Sequence, residues 1–393
     1  MKVLHYCSQF SPVSETFIYD VILQLDKMEI TNHVLTDEIV NRSERPYANV
    51  IRIPSLKRPV LTKVMVKILQ TMGFQKKFWH TQLEKNRAIY LEKLISANRP
   101  DIIHAHFGPQ GVRAFPAARK LKIPLVVSFH GFDAFKLPKI PVWKEKLESL
   151  FKDVELVTVV SEVMRKHLIS LGCPSEKVKV IHVGKKLGDY AFKNRVGTRI
   201  RNFVSIGRVV EKKGHLDCIR AFGELLPKYP DLSLKIIGEG ELIPVLNSQI
   251  KENGFSGNIQ LLGRVSHEKT KSILEDADAF ILCSKTAADG DQEGIPTVLM
   301  EAQALGVPCI STFHSGIPEV MPVENHWMLA EEGNYLSIAA KMEELMSASQ
   351  SDVENATRLA REKTEAEFSL ESEVSKLKDL YNSVFSSAGS AEH

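Results

Sequence analysis

The five cysteines, Cys7, Cys173, Cys218, Cys283 and Cys309, form no CxxC pair and show no zinc-ligand spacing. An odd, scattered set excludes a disulfide framework and fits a reducing compartment, with the thiols buried as small apolar side chains. No run approaches the roughly 18 consecutive apolar residues that a membrane-spanning helix needs. The opening stretch MKVLHYCSQFSP has one lysine, no long apolar segment and no small-residue cleavage site, so the expectation is a cytoplasmic protein. No GxGxxG follows a strand and opens a helix, which argues against a dehydrogenase; IGEGEL is too short a match. There is no internal repeat and no low-complexity segment.

What is present is ordinary in bulk and uneven in charge. At roughly 100–200 residues per domain, 393 residues predict two domains, large enough to need no metal or disulfide staple. The net charge is +3, but residues 1–190 carry +12 and the remainder −9. A basic half joined to an acidic half predicts that the first half meets something anionic.

Short apolar runs alternate with helical periods twice. KVLHYC, HVLT, VIRIP, DIIHAH, PLVVSFHG, ELVTVVS and VKVIHVG read as strands of a first domain, residues 1–190. KKLGDYAFKNRVGT reads as a polar linker. NFVSIGRV, LSLKIIGEG, IQLLGRV, AFILCS and VPCIST open a second alternation, residues 199–371. Runs that are continuously apolar suit parallel strands covered on both faces. The fold class is therefore α/β, with two doubly wound Rossmann-like domains and ligands at the C-terminal ends of the strands.

Chemistry-bearing residues cluster at those ends. In EGIPTVLMEA, Glu293 and Glu301 flank a short apolar helix whose N-terminus, at Thr297 and Val298, offers backbone N–H groups to an anion. Thr297 and Glu301 share a helix face, and an unpaired carboxylate there would be costly. Hydroxyls of a sugar are suitable partners. In IGRVVEKKGH, Arg208 and Lys213 lie at the end of the first strand of the second domain and could clamp a diphosphate. An Arg/Lys pair alone is more often a solvated face. In SFHGFDAF, His130 and Asp133 sit in a glycine turn after a strand. HAHFGPQG sets His104, His106 and Gly108 at a similar strand end. Its His-x-His spacing carries no third ligand in sequence, so no metal site is expected.

Taken in order, these motifs resemble the family-four retaining glycosyltransferases of the GT-B fold. EGIPTVLMEA resembles their E-x7-E motif, GRVVEKKG their Arg-x4-Lys motif and HGFD their His-Gly motif. FSPVSETFI, HAHFGPQG, HGFDA and STFHSGIPE are most similar to the colanic-acid and exopolysaccharide branch. The resemblance implies two domains facing a central cleft, and a C-terminal helix at about 372–388 that packs back on the first. It implies that Glu301 binds the nucleotide ribose and Glu293 the transferred sugar. Gly294, Ile295, Thr297 and Val298 would line sugar and phosphate, with Gly207, Arg208 and Lys213 at the diphosphate, Arg264 and Val265 around the base, and His130 near the transferred sugar. Many relatives carry a Gly-Gly pair after the first strand; SPVSET replaces it here. That makes Ser14 and Glu15 candidate acceptor-binding residues beside Asp133 and Gly108.

The implied reaction moves a hexose from a nucleotide sugar, a UDP-sugar on the family's pattern, to a glycan or lipid-diphosphate-linked acceptor. It implies no metal and no cofactor beyond that co-substrate. Residues 52–87 hold nine Lys/Arg and one acid, Glu84, with Trp79 and two phenylalanines interleaved. This suits either a solvated basic helix or a peripheral contact with the inner face of the plasma membrane. Nothing resembles a nucleic-acid-binding motif. Two alternatives stand beside this reading: a sugar-nucleotide epimerase of the same fold, and a non-catalytic two-domain binding protein.

Overall fold

The computed structural model describes residues 1–12, 15–54, 77–195, 197 and 199–390. Two parallel sheets organise them. The first contains β1 (Lys2–Phe10), β2 (Thr31–Ile39), β3 (Val50–Arg52), β4 (Ile102–His106), β5 (Leu125–Phe129), β6 (Leu156–Val159) and β7 (Val178–Val180). Their spatial order is β3-β2-β1-β4-β5-β6-β7. The second contains β8 (Asn202–Ile206), β9 (Ser233–Ile237), β10 (Ile259–Gly263), β11 (Ala279–Ile281), β12 (Cys309–Thr312) and β13 (Leu329–Ala330), in the order β10-β9-β8-β11-β12-β13. The winding reverses between β1 and β4 and between β8 and β11. Those are the switch points at which doubly wound sheets bind ligands.

Burial explains the continuous apolar strands. Every residue of β4, β5 and β6 is buried, because helices cover both faces of the sheet. The helix Gly108–Leu121 reaches the sheet closely through its glycines. A Cβ on Gly108 would lie 2.7 Å from Phe129, and one on Gly111 would lie 2.7 Å from Val127.

The polar stretch 185–195 is anchored rather than loose. Leu187 and Tyr190 are buried in the core of the second sheet. Arg195 donates to the carbonyls of Gly306, Ala277 and Glu275. Two apolar anchors and one guanidinium suffice to fasten an otherwise hydrophilic stretch.

The chain ends in a helix, Leu370–Ser390. Leu370, Val374, Leu377 and Tyr381 recur at i, i+4, i+7 and i+11, so they form one stripe. That stripe packs on Val3, Ile102, Val126 and Leu156 of the first sheet. Each such buried side chain contributes about 1.5–3 kcal/mol. The last helix of the chain therefore closes the first domain. The two crossings between domains touch: Lys185 N–H donates to Phe368 O and Leu370 N–H to Lys185 O, both at 2.9 Å.

Candidate active site at the cleft

β8 ends at Ile206, and the chain turns sharply through Gly207, Arg208 and a short turn at Glu211–Lys213. Gly214 closes that turn at φ 65°, where a Cβ would lie 1.7 Å from Cys283 O. Only glycine fits, and the turn folds the lysines back over the sheet. Lys212 Nζ is buried, 3.1 Å from Asp291 Oδ1 and 3.1 Å from Gln292 O. Lys213 Nζ lies 2.9 Å from Glu293 Oε1. Arg208 stays exposed at the end of β8.

Glu293 is buried, and its backbone is pinned: its N–H donates to His314 Nε2 at 3.2 Å, and Ser315 Oγ donates to its carbonyl at 2.7 Å. Burial opposes its charge, but Lys213 and Lys212 outweigh that and hold its carboxyl below the ordinary range. Pro296 is the residue before the helix Thr297–Ala304 and makes no side-chain cap bond, and Gly306 follows the helix at φ 73°. Thr297 and Val298 are half-buried and begin the helix, where N–H groups have no intrahelical acceptor. Glu301, one turn on, is half-buried with Oε1 2.6 Å from Lys185 Nζ.

These pairs correct two expectations. Neither Glu293 nor Glu301 waits unpaired for a hydroxyl; each has a lysine. Lys213, expected at the diphosphate, sits on Glu293. The expectations failed because pairing between residues 80 to 116 positions apart leaves no local pattern. Ile295 is buried in the second core. Arg264 is exposed and Val265 half-buried after β10, at the edge of the sheet. Gly207 faces the Lys213 stem, 3.3 Å from a notional Cβ.

On the facing domain, the His130–Gly131 turn after β5 abuts this loop. A Cβ on Gly294 would lie 2.4 Å from His130 O. His130 is packed between the rings of Phe17 and Phe107, each with centroids 4.7 Å away, and neither ring nitrogen has a hydrogen-bond partner. Burial lowers its pKa to about 3, so it is neutral. Asp133, expected to bind acceptor, is fully buried. Its carboxylate accepts from the N–H groups of Gly108, His130 and Gly131 at 2.9–3.0 Å. Asp133 and Gly108 thus shape the turn rather than face the cleft. Glu15 precedes the helix Thr16–Lys27 and is half-buried. Burial pushes its carboxyl up to about 7, the Asp133 charge adds to that and the opposing Arg208 reduces it. Ser14 lies outside the described residues, as does most of the basic segment 52–87; of its cations, Arg87 pairs with Asp37.

His104 and His106 acquire a third neighbour that sequence spacing hid, His5 on the adjacent strand β1. Their chemistry is that of a hydrogen-bond network. Asn32 Nδ2 donates to Asp26 and to Ile30 O, so its Oδ1 accepts from His5 Nε2. His5 Nδ1 then accepts from His106 Nε2 at 3.1 Å. His104 is held by Tyr381 Oη and Ser128 Oγ. Five of the six ring nitrogens are occupied, which leaves too few lone pairs for a cation. His106 Nδ1 alone has no partner. It belongs to a residue that, with His130 and Phe17, lines a cavity of about 40 Å³ beside the cleft. That space admits about three waters.

A carboxylate joins the domains. Glu319 accepts from the N–H groups of Glu162 and Val163 at 2.8 and 3.1 Å, capping the helix Glu162–Ser170 from the other domain. His182 stands between Glu319 and Glu373 at 3.7 and 3.8 Å. Burial opposes its protonation, but the two carboxylates raise its pKa to about 8. No sequence pattern pointed to Lys185, Lys212, His182 or Glu319.

Two doubly wound domains that face each other across a cleft, with a helix N-terminus and lysine-paired carboxylates on one wall, define a GT-B architecture. Comparison with known proteins agrees. The model for "Glycosyl transferases group 1" matches residues 189–365, and that for "Glycosyltransferase Family 4" matches residues 14–184. The amylovoran biosynthesis glycosyltransferase AmsK of Erwinia amylovora is 35% identical over 288 residues, 71% of this chain and 70% of its own. The putative colanic acid biosynthesis glycosyltransferase WcaL of Salmonella typhimurium is 32% identical over 272 residues, 68% and 67% of the two chains. Anabaena HepE in complex with UDP-glucose has the same fold: TM-score 0.75 at 17% identity, covering 98% of this chain and 100% of that one. The chain belongs to the group 1 and family 4 glycosyltransferases.

Proposed function

We propose that the protein is a retaining glycosyltransferase of bacterial exopolysaccharide synthesis. It moves a hexose from a UDP-sugar to a lipid-linked or oligosaccharide acceptor. The observation that carries this reading is the wall formed by Glu293, the N-terminus at Thr297–Val298 and Glu301, with Arg208 exposed at the end of β8. Ribose hydroxyls donate to Glu301 and sugar hydroxyls to Glu293. The diphosphate lies against the helix N-terminus, with Gly207 allowing close approach. The AmsK and WcaL names support the glycan context, and the HepE complexes support a uridine donor.

Charge develops on the leaving diphosphate as its bond to the anomeric carbon breaks. Arg208 and the helix N–H groups stabilise it, with Lys213 close by; one such preorganised donor is often worth about 2.7–4 kcal/mol. These cations do the work a metal ion does elsewhere, so this reading requires none. The acceptor hydroxyl attacks from the face the diphosphate leaves, and its proton passes to the departing phosphate oxygen. His130, neutral and without a partner, is a hydrogen-bonding group for a sugar hydroxyl. Glu15 orients the acceptor. The acceptor side works at the inner face of the membrane, with the 52–87 segment as its basic contact; among the described residues no helix is long and apolar enough to cross it.

NMR of the product's anomeric proton tests the stereochemistry. Retention of the donor's configuration is expected, and an inverted product overturns the mechanism. Binding to anionic liposomes at low salt is expected, and no sedimentation with them overturns the membrane contact.

A further inference from the structure

Lys185 is the cation nearest Glu301, yet it lies on the crossing between the domains. Its ammonium is 2.6 Å from Glu301 Oε1, and both side chains are largely shielded from water. Its backbone is fixed on both sides by Phe368 and Leu370 of the return crossing. Gly184, just before it, is so close to that crossing that a Cβ would lie 2.6 Å from Leu370 Cα. Its ammonium also stands 5.9 Å from the centre of the Tyr190 ring, a buried ring on the Glu301 side. The lysine therefore reaches Glu301 from a fixed backbone, as a built contact rather than a chance surface pair.

The wall repeats this arrangement. Glu293 has Lys213 at 2.9 Å and Asp291 has Lys212 at 3.1 Å. Every acid on this stretch, from Asp291 through Glu301, has its own lysine. A bare carboxylate one helical turn from a bound diphosphate would repel it across a cleft of low effective dielectric. A carboxylate has two oxygens and about four lone-pair sites. Lys185 and the Tyr190 hydroxyl each take one of these sites, which leaves lone pairs to accept from ribose hydroxyls.

Resting on the glycosyltransferase reading above, we propose that Lys185 is a positioning residue of the donor site. It neutralises and orients Glu301 so that one carboxylate can hold a ribose beside an anionic diphosphate, and it ties donor binding to the interdomain crossing. Lys185 stays on Glu301 when the donor binds and is not displaced by it.

Titration calorimetry with UDP and with uridine tests this on wild type, Lys185→Met and Lys185→Arg. Both ligands carry the ribose, and only UDP carries the diphosphate. In Lys185→Met, UDP should bind about tenfold or more weaker, while uridine should weaken by less than about threefold. Lys185→Arg should recover most of the UDP affinity. Equal losses for both ligands, with no recovery by arginine, would mean that Lys185 serves packing alone and overturn the proposal. Tighter binding of both ligands to Lys185→Met would show that the lysine competes with ribose, and would overturn it too. Failure of wild type to bind any nucleoside diphosphate would instead remove the functional reading beneath it.

Discussion

The two walls of the cleft are built on opposite principles. The second-domain wall is charged and fully paired, with Lys212, Lys213 and Lys185 on Asp291, Glu293 and Glu301. The first-domain side is neutral around its strand-end turn: His130 is uncharged by burial, and Asp133, buried behind the turn, is satisfied by three backbone N–H groups. A charged ligand part suits the first kind of wall, because fixed ion pairs need no rearrangement when charge develops. A neutral, hydroxyl-rich part suits the second, where uncharged rings supply hydrogen bonds without a desolvated charge. Charge on this side comes from Glu15, a half-buried carboxyl facing the Arg208 charge, and from Lys136, which pairs with Asp289 of the second domain at 2.5 Å.

Breaking the charged wall should have the largest effect. Arg208→Ala should lower kcat by about 10²–10³ with little change in thermal stability, because Arg208 is exposed. An unchanged kcat would remove the diphosphate clamp.

Breaking the neutral wall should act through the fold. Asp133→Ala leaves three backbone N–H groups without an acceptor, two of them on buried glycines, at about 1–3 kcal/mol each before relaxation. A large drop in Tm is expected, with lost activity tracking lost folded protein. A stable variant with only a raised acceptor KM would restore Asp133 to the acceptor site.

Glu15 sharpens the comparison at smaller cost. With its carboxyl raised to about 7, acceptor kcat/KM should rise as pH increases through that value. Glu15→Gln should remove that step from the profile. A step that persists in the variant belongs to another group.

The smallest effect concerns the joint between the walls. His182 is raised from 6.5 to about 8 by Glu319 and Glu373. Its charged form stabilises the fold fully below pH 6.5, and the contribution fades as pH rises through 8. It amounts to at most about 2 kcal/mol. His182→Gln should flatten the dependence of stability on pH between those values; an unaltered curve would show that the carboxylates do not hold the charge.

The charged wall was the more legible of the two in sequence. Glu293, Thr297, Val298 and Glu301 lie on one loop and the helix that follows it, so their grouping shows in linear spacing. The strand alternation was legible because its period is local, whereas the C-terminal helix followed from the family resemblance. The partners were not legible. Lys185 reaches Glu301 through the path of the interdomain crossing, and Glu319 caps a helix in the other domain. His5 joins His104 and His106 only because β1 and β4 pair in register. Asp133 resembled a cleft residue because its position in a turn is visible in sequence, whereas the N–H groups around it are not.

The most direct test of the central claim is a thermal-shift panel with UDP, GDP and ADP on wild type and Glu301→Ala. A ligand at 100 times its Kd stabilises the folded protein by about 2.7 kcal/mol. The account predicts a clear shift of wild type with UDP that is lost in the variant. No shift with any nucleoside diphosphate, or an equal shift in Glu301→Ala, would contradict it.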